Sequence, residues 1–125
     1  MIKLDKNRVL LLYQLLIQET GGASGIRDMN LLDSALNSAY ATFDGKDLYP
    51  SKEEKAARIG YSLISNHAFV DGNKRIGMYV MLTFLEINGI SLSCSNKDVV
   101  KIWLDIAKGK VNYDLLLAWI KEHKE

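Results

Sequence analysis

The sequence has few of the features that cross-link, anchor or steer a protein. Its single cysteine, Cys94, has no partner for an internal disulfide, so the fold has to hold by packing alone. Neither sign of charge dominates. Sixteen basic residues against fifteen acidic ones leave a formal charge of +1, too little for a long-range field drawing the chain to nucleic acid or anionic lipid. The opening MIKLDKNRVL lacks signal-peptide architecture because charges interrupt its apolar run, and a cytoplasmic location is the expectation. Repeats and low-complexity segments are absent. The uncharged, mostly apolar stretch from Ile76 to Leu85 is too short to span a bilayer and suits a buried core helix.

What is present suits one helical domain over residues 1–125, with enough apolar content to bury a core without staples. A first helix is predicted from Leu4 to Glu19, capped by Asp5 and stopped at Gly21 and Gly22. Leu10, Leu11, Leu15 and Ile17 widen its apolar face, so cover on more than one side is expected. The glycine-rich stretch from Gly21 to Arg27 matches neither phosphate-loop fingerprint and reads as a linker. Asp28 can cap a second helix running to about Tyr40. Asp44-Gly45 then marks a hairpin turn within Ala41 to Pro50, with an irregular loop as the alternative.

Ser51 and Glu54 have capping-box spacing at the head of a third helix that buries Ala56, Ile59, Leu63 and Ile64 and ends near Asn66. The apolar fourth helix stops at Asn88-Gly89. Ser95 and Asp98 open a fifth helix through Val99, Ile102, Trp103 and Ile106, closed by Gly109. Asn112 caps a sixth carrying Leu115, Leu116, Trp119 and Ile120. Both tryptophans fall on apolar faces and read as core anchors, and His123 reads as a surface residue. The fold class is therefore all-α: about six helices around a buried central one, with a small β-hairpin flap as a possible addition.

Chemistry concentrates where the central helix begins. Gly72, Asn73 and Lys74 are expected to present free N–H groups, and such helix starts bind anions. Lys74 and Arg75 oppose the helix dipole in that first turn, a conflict that a bound phosphate would relieve; Arg75 can hold one with two parallel bonds. Asp71 suits either an N-cap or a single carboxylate ligand for Mg²⁺ beside phosphates. His67 lies just ahead, where an imidazole can take a proton from a hydroxyl nucleophile, and Phe69 is expected to point into the core. A base, a metal carboxylate and an anion cradle are the parts of a phosphoryl or nucleotidyl transfer site.

The stretch HAFVDGNKR, His67 to Arg75, resembles the H-x-F-x-x-G-N-x-R signature of the Fic/Doc superfamily, with all five fixed positions present. The resemblance implies His67 as general base, Asp71 as the Mg²⁺ ligand, and Gly72, Asn73, Lys74 and Arg75 as the cradle of ATP phosphates. Relatives that transfer AMP usually carry glycine where Lys74 stands and a second arginine where Met78 stands, so the chain is more similar to the Doc, or death-on-curing, toxin branch. That branch implies a kinase-like toxin of a type II toxin-antitoxin system. Such a toxin transfers the γ-phosphate of ATP to a Ser/Thr hydroxyl of a translation factor, elongation factor Tu in the family, and so inhibits translation. It also implies a cognate antitoxin whose C-terminal segment lies on the toxin, since the chain has no S/T-x-x-x-E-G/N inhibitory motif of its own. The flap is where relatives align a target segment by strand addition. Protein adenylylation from the same histidine, with Lys74→Gly and Met78→Arg as the exchange that favours it, and a catalytically silent binding module are the alternatives.

Overall fold

A computed structural model describes all 125 residues. Six helices follow in order: α1 (Lys6–Thr20), α2 (Met29–Ser38), α3 (Lys52–Asn66), α4 (Asn73–Ile87), α5 (Asn96–Ala107) and α6 (Tyr113–His123). The strands β1 (Thr42–Phe43) and β2 (Lys46–Asp47) stand between α2 and α3. Buried side chains from every helix join one core, and no helix is long and apolar enough to cross a membrane.

The ends of the helices follow local chemistry. Asp5, Asp28, Ser51, Ser95 and Asn112 each accept a backbone N–H of the turn they open, and Ser51/Glu54 and Ser95/Asp98 form reciprocal capping boxes. The Ser95 bonds hold the Asp98 carboxyl below the usual carboxylate range. At the other end of α4, Asn88 is buried. Its amide donates to Phe84 O and Ile2 O, its oxygen accepts the Ile2 N–H, and the N-terminal segment is thereby stapled to the helix end.

The hairpin predicted at Asp44-Gly45 forms. Thr42 pairs with Asp47 and Phe43 with Lys46, and Asp44 and Gly45 both take positive φ, at 54° and 75°. Lys55, on α3, secures it from below. Only 4% exposed, its ammonium donates to Tyr49 O at 2.6 Å and Ala39 O at 3.3 Å and meets the Asp47 carboxylate at 3.5 Å. Those acceptors lie on both flanks of the flap and in its second strand, so one buried cation fixes its base.

Several faces differ from expectation. Leu11 and Leu15 are 56% and 48% exposed, because the helices that pack most on α1, α4 and α2, leave this side of it bare. Leu115 is 52% exposed on α6, whose main packing partner is α3. His123 is not a free surface group: its ring stacks on Trp119 at 4.3 Å and its Nδ1 meets Trp119 O at 2.7 Å.

The central pair is α3 and α4, antiparallel neighbours joined by residues 67–72. They meet through glycine. A Cβ on Gly77 would lie 2.5 Å from Ile64 Cγ1 and 3.2 Å from both Gly60 O and Ile64 N, so backbone faces backbone there. Around that contact α4 buries Ile76, Met78, Val80, Met81, Phe84 and Leu85, each stabilising by about 1.5–3 kcal/mol. Gly77→Ala is expected to destabilise the fold by about 1–3 kcal/mol in urea unfolding, overpacking outweighing the helix-propensity gain. Gly60→Ala should cost less than Gly77→Ala, because its Cβ would meet only the Met81 side chain, at 3.0 Å from Sδ and 3.1 Å from Cβ, and no backbone atom. Equal stability of the two variants would contradict a backbone contact at Gly77.

Candidate active site

The α3–α4 connection places the sequence motif at one end of the helix pair. His67 ends α3 in the left-handed conformation, φ 54° and ψ 48°, which turns the chain sharply and leaves its side chain exposed. Holding a non-glycine residue there costs about 1–2 kcal/mol, and Arg27 offsets it. The Arg27 guanidinium donates from Nε to His67 O at 2.7 Å and from Nη2 to Asn66 O at 3.3 Å, a cation on the negative end of α3.

Phe69 then enters the core, 1% exposed, and stacks on Tyr13 with centroids 3.9 Å apart. Asn73 clamps the same residue: its Oδ1 accepts Phe69 N–H and its Nδ2 donates to Phe69 O, both at 2.9 Å. The Asn73 side chain is thus occupied in shaping the loop, and what this residue offers a ligand is its backbone N–H. Tyr13 adds a second clamp, its hydroxyl donating to Asp71 O at 2.9 Å and reaching Ala23 O at 3.3 Å.

The glycine-rich stretch expected to be a linker is a scaffold instead. Ile26 pairs antiparallel with Phe69, Arg27 and Asp28 N–H groups donate to Ala68 O, and Val70 N–H donates to Gly25 O. Gly22 passes so close that a Cβ on it would sit 2.5 Å from Asp71 Oδ2. Pattern reading missed this role because such pairing depends on residues about forty positions apart meeting in space.

Gly72, not Asp71, is the N-cap of α4; its φ of 78° permits the entry turn, and no side chain caps the helix. The Asp71 carboxylate, half exposed, accepts the Gly72 N–H through Oδ1 at 2.8 Å. The N–H groups of Asn73, Lys74 and Arg75 therefore have no acceptor, the first helical bond being from Ile76 N–H to Gly72 O. Arg75 is divided between two tasks. Its Nη1 donates to Thr20 Oγ1 and approaches Gly21 O, tying down the carbonyl end of α1, while Nη2 stands 4.0 Å from the Asp71 carboxylate. Lys74 is exposed with no ion pair.

These groups line a cavity of about 490 Å³: His67, Val70, Asp71, Gly72, the first turn of α4, and Trp103 and Leu104 of α5. Trp103 packs on the core but is only half buried, so it is also a wall of the site, which its place on an apolar helix face did not disclose. Met78 is 1% exposed and turned away from the cavity lining, so an arginine at this position would put a guanidinium in the core. Of the two positions that depart from the AMP-transferring pattern, only Lys74 lines the cavity.

No cluster of three or more potential metal-ligating His, Cys, Asp or Glu side chains exists. The donors present are one carboxylate and the space beside it, with Asp71 Oδ2 making no hydrogen bond to the protein. That set fits Mg²⁺, which binds through one or two carboxylates plus substrate phosphates and water.

Removing the Asn73 clamp gives a direct check on how the loop is held. Asn73→Ala should lose about 1–3 kcal/mol of stability by leaving Phe69 N–H and O unpaired, read as a lower denaturation midpoint. Asn73→Asp keeps the acceptor and should lose less at neutral pH. Wild-type stability of Asn73→Ala would contradict the clamp.

Comparison with known proteins bears on the same segment. Residues 3–85 match the Fic/DOC family. A curated relative, "Toxin Doc" of Mycolicibacterium smegmatis (strain ATCC 700084 / mc(2)155), is 48% identical over 73 residues, covering 58% of this chain and 56% of that protein. The chain thus spans little more than half the length of this relative. The matched family region runs from α1 through most of α4 and contains the whole motif with the elements that hold it; the chain belongs to the Fic/DOC family.

Proposed function

We propose that the protein is a toxin of the Doc kind that transfers the γ-phosphate of ATP to a Ser/Thr hydroxyl of a translation factor, an elongation factor Tu-like target, and so inhibits translation. The observation that carries the reading is the convergence of three free N–H groups, Lys74, the Asp71 carboxylate and His67 on one cavity. The amides and Lys74 suit a bound polyphosphate, and Arg75 adds charge beside them. Bound Mg²⁺, held by Asp71, would neutralise charge on the phosphates.

In this reading His67 accepts the proton of the target hydroxyl as its oxygen bonds to the γ-phosphorus. The bond from that phosphorus to the bridging oxygen breaks, and ADP leaves with the electron pair. The exposed hairpin, with Phe43 76% exposed, lies on the chain where a target segment could add as a strand. A cognate antitoxin, its C-terminal segment lying on this chain, would restrain the activity; the relative named Toxin Doc supports that expectation.

The test is the intact mass of elongation factor Tu after incubation with the protein, Mg²⁺ and ATP. A gain of one phosphate is expected, and His67→Ala should slow it by at least about 100-fold. A gain of one AMP would replace phosphotransfer by adenylylation at the same site. Full transfer by His67→Ala would remove the histidine from the mechanism, and ATP-independent function would point to a binding module. Lys74→Gly isolates the one cradle residue that departs from the AMP-transferring pattern: it should lower γ-phosphate transfer several-fold while the fold stays intact by circular dichroism.

A further inference from the structure

We propose that Trp103 is the platform on which the nucleobase of the bound nucleotide stacks, so that the site selects a nucleotide over a bare polyphosphate. The inference rests on the phosphotransfer reading and adds the residue that recognises the other end of the substrate. The cavity is chemically divided. The motif contributes the α4 amides, Lys74, Asp71 and His67, all matched to an anion, together with the apolar Val70, and α5 contributes Trp103 and Leu104. A phosphate alone has no use for an apolar wall. A nucleotide has the matching division, an anionic chain joined to a flat ring, and a volume of about 490 Å³ lies within the usual range for small-molecule pockets.

Trp103 is the one Phe, Tyr or Trp side chain lining this cavity. Its helix already has its core contacts from Ile102 and Ile106, 7% and 4% exposed, whereas the indole stays half buried at the rim. The second tryptophan shows the contrast: Trp119 is engaged by the His123 ring, away from the cavity. A tryptophan kept partly exposed beside an anion cradle presents a π-face, and base stacking on such a face tolerates any base. The platform therefore favours nucleoside triphosphates as a class without choosing among bases.

The experiment measures binding of ATP and of inorganic tripolyphosphate, each with Mg²⁺, by calorimetry to wild type, Trp103→Phe and Trp103→Ala. Trp103→Ala should weaken ATP by about 5- to 100-fold and leave tripolyphosphate unchanged, with Trp103→Phe close to wild type. In a Trp119→Phe chain, whose only indole is Trp103, ATP should quench the fluorescence and tripolyphosphate should not. Unchanged ATP affinity in Trp103→Ala would overturn the platform, and so would equal weakening of both ligands, which marks a purely structural residue. Wild type binding tripolyphosphate as tightly as ATP overturns the platform alone. Wild type binding neither overturns the phosphotransfer reading itself.

Discussion

The close approach of α3 and α4 through Gly60 and Gly77 is the constraint on which the rest depends. With backbone against backbone, the end of α3 and the start of α4 lie side by side, and residues 67–72 are left only a tight turn between them. Any side chain at Gly77 would push the helices apart at Ile64, one turn from His67. Core packing and site geometry are therefore the same contact seen from its two ends. Because interiors are densely packed and relax little, a shift at that crossing would be transmitted to the motif rather than absorbed.

A turn so tight needs holding from outside, and the N-terminal third of the chain supplies the grip. Tyr13 reaches from α1 to Asp71, the strand-like bridge at Ile26 takes up the backbone of Phe69, and Arg27 covers the carbonyl end of α3. Asn73 closes the loop from within. These contacts use backbone groups that would otherwise be unpaired near the core, so the loop is satisfied without spending the His67 ring, the Asp71 Oδ2 oxygen or the first three amides of α4. What remains free is what the proposed phosphotransfer uses.

The electrostatic character of the site follows from the same arrangement. Lys74 and Arg75 sit at the positive end of α4, with no acidic residue in that turn. Arg75 finds partial relief at the opposite pole, the carbonyl end of α1, and near Asp71. Lys74 finds none within the chain. The net charge of +1 conceals this local excess: whole-chain charge weighs against a long-range pull toward nucleic acid but says nothing about a local polyphosphate site.

Much was legible in the sequence for reasons that are local. Caps at Asp5, Asp28, Ser51, Ser95 and Asn112, the Asp44-Gly45 turn and the burial of α4 each depend on residues a few positions apart, where backbone and side-chain chemistry act directly. The motif from His67 to Arg75 was equally visible because its parts are contiguous. The division of labour within it was not. Whether Asn73 faces a ligand or Phe69, whether Trp103 is core or wall, and whether Lys55 is solvated or clamps the flap depend on which distant segment lies opposite. The glycine stretch before α2 had no helical or strand period to read, and its bridge to Phe69 joins residues about forty positions apart. The sequence by itself determined six helices, their ends and the chemical parts of the site. Only the tertiary structure decided which of those parts stay free for a ligand, because hydrogen-bond partners and burial are set by long-range packing.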